Sequence, residues 1–144
     1  MSGGKRNTRL LRAFLRFGIA AVLLATAVGK LLSLGGFAQV LATYRALPEW
    51  SLFPLAAAVS VAELLLAAWL LSGWRLRAAA LVSAGMHLAY ALWAGVTLGR
   101  GVDVPNCGCF GVFFARPLTY STVLEDAGLV AASLTLASIS REKG

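Results

Sequence analysis

The sequence predicts an all-α integral membrane protein, a single domain built as a four-helix bundle, and three observations carry that prediction. Hydrophobic residues fill 59% of the 144 positions and charged residues 13%, about half the charged share of an ordinary soluble domain. Mean hydropathy is +0.78. The apolar residues gather in four runs, each apolar around its whole circumference and close to the roughly 20 residues a helix needs to cross a bilayer. Period-two alternation is absent, so helices are the structure left that satisfies every backbone group in lipid.

The first span is expected at about 14–34, behind Lys5, Arg6, Arg9, Arg12 and Arg16. Basic residues, the apolar run Ile19 to Leu24 and the small triplet Ala25-Thr26-Ala27 imitate a secretory leader. The stretch continues through Val28, Leu31, Leu32 and Leu34, which suits a full crossing better. Glycines at 35 and 36 and Pro48 mark 35–52 as a connection before the second span, 53–71. Gly73, Arg75 and Arg77 fill 72–77, and the third span follows at 78–98. A glycine- and proline-containing loop, 99–118, leads to the fourth span at 119–139.

Ala21, Ala25 and Gly29 in the first span, and Ala91, Gly95 and Gly99 in the third, recur every four residues. Such ladders let helices approach closely, although alanine is abundant enough here for chance spacing. Tyr44, Trp50, Trp74 and Tyr120 fall near span ends and read as interfacial anchors.

Positive charge orients the bundle. Lys5, Arg6, Arg9, Arg12, Arg16, Arg75, Arg77, Arg141 and Lys143 lie on one side, against Arg45, Arg100 and Arg116 on the other. The positive-inside rule then places both ends in the cytoplasm and 99–118 outside. Anionic head groups account for the net charge of +7, and no basic stripe with interleaved aromatics points to nucleic acid.

Five ionisable residues lie within or at the edge of the predicted hydrocarbon: Lys30, Glu63, His87, Glu125 and Asp126. Such groups are expensive there and should face the bundle interior or water. Lys30, Glu125 and Asp126 lie toward the outer helix ends, so a Lys30 pairing with Glu125 or Asp126 is expected; snorkelling of Lys30 to the head groups is the alternative. Glu63 reads as a carboxyl tying two helices or as a proton-relay or ligand group. His87 stands alone, without a second histidine to complete a metal site. Glu125 and Asp126 are adjacent and lie on different faces of a helix, so one of them points inward.

The two cysteines of the chain, Cys107 and Cys109, sit one residue apart in Val104-Pro105-Asn106-Cys107-Gly108-Cys109-Phe110-Gly111. The exterior is oxidising, so a disulfide can persist there. A bridge across one intervening residue closes a tight ring, which favours a labile bond, and constrains too little chain to be explained by stability. Positive charge from Arg100 or Arg116 and the start of the fourth helix would favour a thiolate. Thiol-disulfide exchange is the leading reading; soft-metal binding and a structural pair stand beside it. Two sulfurs are too few for a closed zinc site, and no metal site is assigned.

Gly29-Lys30-Leu31 closing the first span, Phe37, Tyr44-Arg45-Ala46-Leu47-Pro48, Glu63, and Gly99-Arg100 ahead of Cys107-Gly108-Cys109-Phe110-Gly111, with Leu118 to Asp126 opening the fourth span, form an ordered set. From about Phe17 to Leu136 the chain resembles the methylamine utilisation protein MauE family, which belongs with DoxX-like four-helix membrane proteins. The resemblance implies an inner-membrane role in maturing a disulfide-rich periplasmic protein, in the named case the small subunit of methylamine dehydrogenase, alongside a thioredoxin-like partner.

One cysteine pair holds one two-electron equivalent, so electrons must pass directly through a mixed disulfide with a partner. They would continue to a membrane quinone near the outer helix ends or to a second thiol protein, with Lys30, Glu125 and Asp126 tuning the thiols or supplying protons. Two other readings compete. One is a membrane scaffold that docks a periplasmic partner; the other is a small polar-substrate or soft-metal conduit lined by Glu63 and His87.

Overall fold

The computed structural model describes residues 2–141, and within them the chain forms five helices and no strand. Lys143, counted above in the charge bias, lies outside the described residues. The helices are α1 (Ser2–Leu31), α2 (Leu34–Ala42), α3 (Glu49–Ser72), α4 (Leu76–Gly99) and α5 (Tyr120–Ile139). Four of them, α1, α3, α4 and α5, are long and apolar enough to cross a membrane. At 1.5 Å per residue the 24-residue α3 and α4 reach about 36 Å, enough for a hydrocarbon layer of about 30 Å with some tilt.

Helix ends follow local chemistry. Pro48, extended at φ −67°, stands just before α3, whose first residue Glu49 sits where a negative charge suits the helix dipole. Gly73 adopts φ +73° after α3 and its N–H donates to the Leu70 carbonyl, a left-handed stop. Thr119 and Thr122 form a capping box at the start of α5.

One helix was missed. Residues 35–52 were expected as a plain connection, yet α2 occupies the first half of that stretch. Nine residues are too few to span, so a search by length passes over them. Their apolar members Phe37, Ala38, Val40 and Leu41 fall on one stripe and are buried.

The bundle is two pairs of helices. α1 packs along α3 and α4 along α5 over most of their lengths, while α3 meets α4, and α1 meets α5, over much less. One apolar cluster, around Leu23, Leu66, Leu70, Ala80 and Leu136, closes the end that carries the α3–α4 turn. A second, around Phe37, Leu41, Tyr44, Ala56, Val104 and Leu118, closes the opposite end. Buried polar residues Lys30, Ser60, Glu63, Ser83, His87 and Ser133 lie in sequence between the members of these clusters. Leu65, Leu88, Leu92 and Leu124 face outward, as lipid-facing side chains do.

Two arginines cap the ends. Arg16 Nε donates to the Leu70 carbonyl at 2.7 Å and Arg16 Nη2 to that of Leu71, satisfying the last carbonyls of α3. At the other end Arg100 donates to the carbonyls of Tyr44 (3.1 Å) and Arg45 (2.8 Å), joining the end of α4 to the segment after α2.

The small-residue ladders do not make the helix contacts. Ala21, Ala25 and Gly99 are exposed, and an added Cβ at Gly95 would meet nothing within 4 Å. The close approaches run instead through the neighbouring registers, Ala20 and Ala27 on α1 and Ala79, Ala80, Ser83 and Ala84 on α4. Trp50, Trp74 and Tyr120 are exposed at span ends, as anchors should be, but Tyr44 is buried and belongs to the site described next.

Candidate functional site

The cysteine loop folds back into the bundle. Its neck is closed by two backbone bonds, Cys107 N–H to the Arg116 carbonyl (2.8 Å) and Leu118 N–H to the Val104 carbonyl (2.9 Å). Within it Asn106 Oδ1 accepts from Gly108 N–H at 3.0 Å, and Asn106 Nδ2 donates to the Gly111 carbonyl at 3.2 Å. This is the local side-chain bonding that asparagine brings to turns.

Glycine allows the loop to sit against the helices. Gly111 has φ +70°, and a Cβ there would lie 2.5 Å from the Gly29 carbonyl oxygen of α1; one on Gly29 would lie 2.5 Å from that of Phe110. Gly108, at φ +79°, rests on Val40 and Phe37 of α2. Tyr44 donates its hydroxyl to the Cys107 carbonyl at 2.5 Å, and burial pushes its phenol above the ordinary range. The positive-inside bias puts this loop on the exterior side. Within it Cys107 is buried and Cys109 half-buried, because Val104 and Leu118 are drawn into the apolar cluster at this end.

The two thiols lie 2.8 Å apart, sulfur to sulfur, and are unequal. Cys107 is drawn down to about 6: hydrogen bonding from Cys109 is the main cause, burial opposes it, and Arg116 adds to it. Cys109 is pushed well above the ordinary thiol range by the same bond and by burial. The pair thus gives up its first proton easily and its second with difficulty, which is the expected behaviour of two coupled groups sharing one proton.

Both cysteines line a cavity of about 380 Å³ between the two helix pairs. Lys30, Glu63, His87, Glu125 and Asp126 line it too, so seven of the eight residues expected at the site share one space. Arg100 is the exception. It is spent on the carbonyls of Tyr44 and Arg45, and Arg116 is the guanidinium that acts on the thiols.

The inner part of the cavity holds a three-helix polar hub. Glu63 of α3 accepts from Lys30 Nζ of α1 at 2.6 Å, from Tyr90 Oη of α4 at 2.7 Å and from Thr26 Oγ1 of α1 at 3.0 Å. The expected pairing of Lys30 with Glu125 or Asp126 is corrected: α1 lies along α3, not α5, and Glu125 is already held by Arg116 through two bonds of 2.9 and 2.5 Å. Nor does Lys30 snorkel. Its side chain is 5% exposed, with Nζ 5.3 Å from the Phe37 ring centre and 5.5 Å from that of Tyr90.

His87 Nδ1 meets the Ser83 carbonyl at 2.9 Å, so Nδ1 carries the proton and Nε2 is an acceptor without a partner among the described residues. Ser83 Oγ and Ser133 Oγ, 2.9 Å apart, link α4 to α5. Asp126 is half-buried on the cavity wall, the inward member of its pair with the exposed Glu125. Among the described residues no group of three or more His, Cys, Asp or Glu side chains is gathered for a metal ion.

Sequence reasoning did not assign Thr26 or Tyr90 to the site and read Tyr44 as an anchor. Tyr90 lies three residues after His87 on one helix face, a spacing that could have drawn attention to it.

Comparison with known proteins agrees with this architecture. The family described as methylamine utilisation protein MauE matches residues 8–139. The chain is 28% identical over 124 residues to the methylamine utilization protein MauE of Paracoccus denitrificans, covering 86% of this chain and 67% of that protein. It is 31% identical over 141 residues to the MauE of Methylophilus methylotrophus, covering 94% of this chain and 72% of that one. No solved structure matches. With four spanning helices and a family match over nearly all of its length, this multi-pass membrane chain belongs to the MauE family.

Proposed function

We propose that the protein is an inner-membrane thiol oxidoreductase that takes electrons, through Cys107 and Cys109, from a periplasmic thioredoxin-like partner, and so supports maturation of a disulfide-containing protein. The observation that carries this is two thiols in contact, 2.8 Å apart, in one clamped loop, with Arg116 drawing the Cys107 thiol down. The excess of Lys and Arg on the opposite side supports an exterior position for that loop. Methylamine utilisation is the setting named for the relatives, and this chain is proposed to serve a comparable pathway.

The geometry favours one order of events. In the oxidised protein a partner thiolate attacks Cys109, the less buried residue of the pair, forming a mixed disulfide and expelling Cys107 as a thiolate. A low-pKa thiol leaves fastest, which suits Cys107 to that role. The partner's second thiol then attacks its own sulfur in the mixed disulfide, forming the partner's disulfide and releasing Cys109, which takes up a proton. Two electrons have moved from partner to pair. The protein is left as Cys107 thiolate and Cys109 thiol.

Trapping tests the order. Membranes carrying the intact pair and a thioredoxin-fold protein whose second thiol is replaced by serine should accumulate a reductant-sensitive adduct that peptide mapping places on Cys109, with far less on Cys107. Unimpaired oxidation of the unsubstituted partner's dithiol by the Cys107→Ser/Cys109→Ser variant would overturn the proposal and leave a scaffold.

A further inference from the structure

We propose that the cavity between the cysteine pair and the Lys30–Glu63–Tyr90 hub is a binding site for a membrane quinone, the acceptor that reoxidises the pair. The proposal rests on the thiol reading above and deepens it: a chain with one dithiol has no second pair to pass electrons to, so a two-electron acceptor must reach the sulfurs themselves.

The cavity fits such a ligand in four respects. Its volume, about 380 Å³, lies within the range of about 300 to 1,000 Å³ typical of small-molecule sites. Phe37, Tyr44 and Trp93 line it with flat rings, and polar groups are confined to a few points, the usual pattern for an oriented apolar ligand. Val22 of α1, 36% exposed, and Leu129 of α5, half-buried, both line it, which suits entry of a lipid-soluble ring from the membrane. Finally, donors for a quinone carbonyl are present: Lys30 has three N–H groups and Glu63 takes one.

The chemistry balances. Cys107 thiolate and Cys109 thiol surrender two electrons as their S–S bond forms. The quinone takes those two electrons with two protons, one from Cys109 and one from water by way of the Asp126 carboxyl on the same wall, and leaves as hydroquinone. The regenerated disulfide is ready for the next partner.

The test uses the full chain, purified in detergent, reduced and freed of reductant. Decylubiquinone and menadione serve as probes. Added in turn, at least one should be reduced at one equivalent per dithiol, read from its ultraviolet spectrum and from loss of alkylatable thiol. Val59→Trp, which fills the cavity from α3, should slow quinone reduction at least tenfold while leaving exchange with a thioredoxin-fold dithiol unchanged. The Cys107→Ser/Cys109→Ser protein should bind the same quinone by equilibrium dialysis with wild-type affinity and reduce none. If exchange proceeds but neither probe is bound or reduced, the quinone site is refuted and the thiol reading stands. If exchange itself is absent, the thiol reading falls and takes this inference with it.

Discussion

Glu63 accepts three hydrogen bonds, one of them from a buried ammonium, and removing it should be among the most damaging single changes available in this protein. In Glu63→Leu the Lys30 charge remains, 5% exposed, with only the faces of Phe37 and Tyr90 near it. Such cation–π contacts return about 0.5 to 2 kcal/mol, whereas breaking a buried ion pair from one side costs about 3 to 5 kcal/mol. The converse change, Lys30→Met, should cost less. It leaves a carboxyl that Tyr90 and Thr26 still hydrogen-bond. The double variant replaces the pair by apolar groups of similar length, a change that is often near neutral. At about 3 to 4 °C per kcal/mol for a chain of this size, Glu63→Leu should lower the apparent Tm in detergent by about 10 °C or more, Lys30→Met by less, and the double variant by less than Glu63→Leu alone. Thermal scans followed by intrinsic fluorescence would show this. Additive losses in the double variant would refute the idea that the two side chains stabilise the bundle as a unit.

Alkylation by iodoacetamide, followed across pH by mass spectrometry, should show the first thiol reacting with a midpoint near pH 6, because thiolate is the reactive form and its fraction grows as pH rises through that value. Cys109→Ala should move the midpoint up the most, and Arg116→Gln by less, following the order of their influence on Cys107. Gly29→Val has no room beneath the Phe110 carbonyl, so the loop should lift, thiol exchange should fall at least tenfold and helix content should persist; Gly95→Ala, with open space around it, should change neither. Tyr44→Phe leaves the Cys107 carbonyl without its hydroxyl donor and should cost about 1 to 3 kcal/mol, seen as faster hydrogen exchange across 104–111 than in the parent.

The spans were legible because lipid imposes one requirement, a long apolar helix, and composition alone reveals where it is met. α2 was not, since nine residues make a stripe too short to stand out until it has a partner. Cys107 and Cys109 were legible as a pair by spacing alone. That they turn inward was not, for burial of the loop depends on Val104 and Leu118 finding the apolar end of α2 and α3. The partner of Lys30 depended on which helices lie side by side, and a single sequence carries no record of adjacency. Depth along a span can be counted from its ends; rotation and neighbour cannot.

The hub also explains why there is a cavity at all. Lys30 and Thr26 of α1, Glu63 of α3 and Tyr90 of α4 meet at one carboxylate, while Ser83 and Ser133 tie α4 to α5. Between these fixed points α1 meets α5, and α3 meets α4, only in part. Lipid supplies no hydrophobic drive to close such a gap, since a leucine gains little by leaving acyl chains for another helix. The Tyr90–Glu63 bond is the one of these contacts that joins the two pairs, and the cysteine loop, docked on Gly29 and α2, roofs the space between them. In this arrangement one carboxylate serves both levels of the structure: Glu63 pairs with Lys30 inside the α1–α3 pair and reaches the α4–α5 pair through Tyr90, beneath the sulfurs.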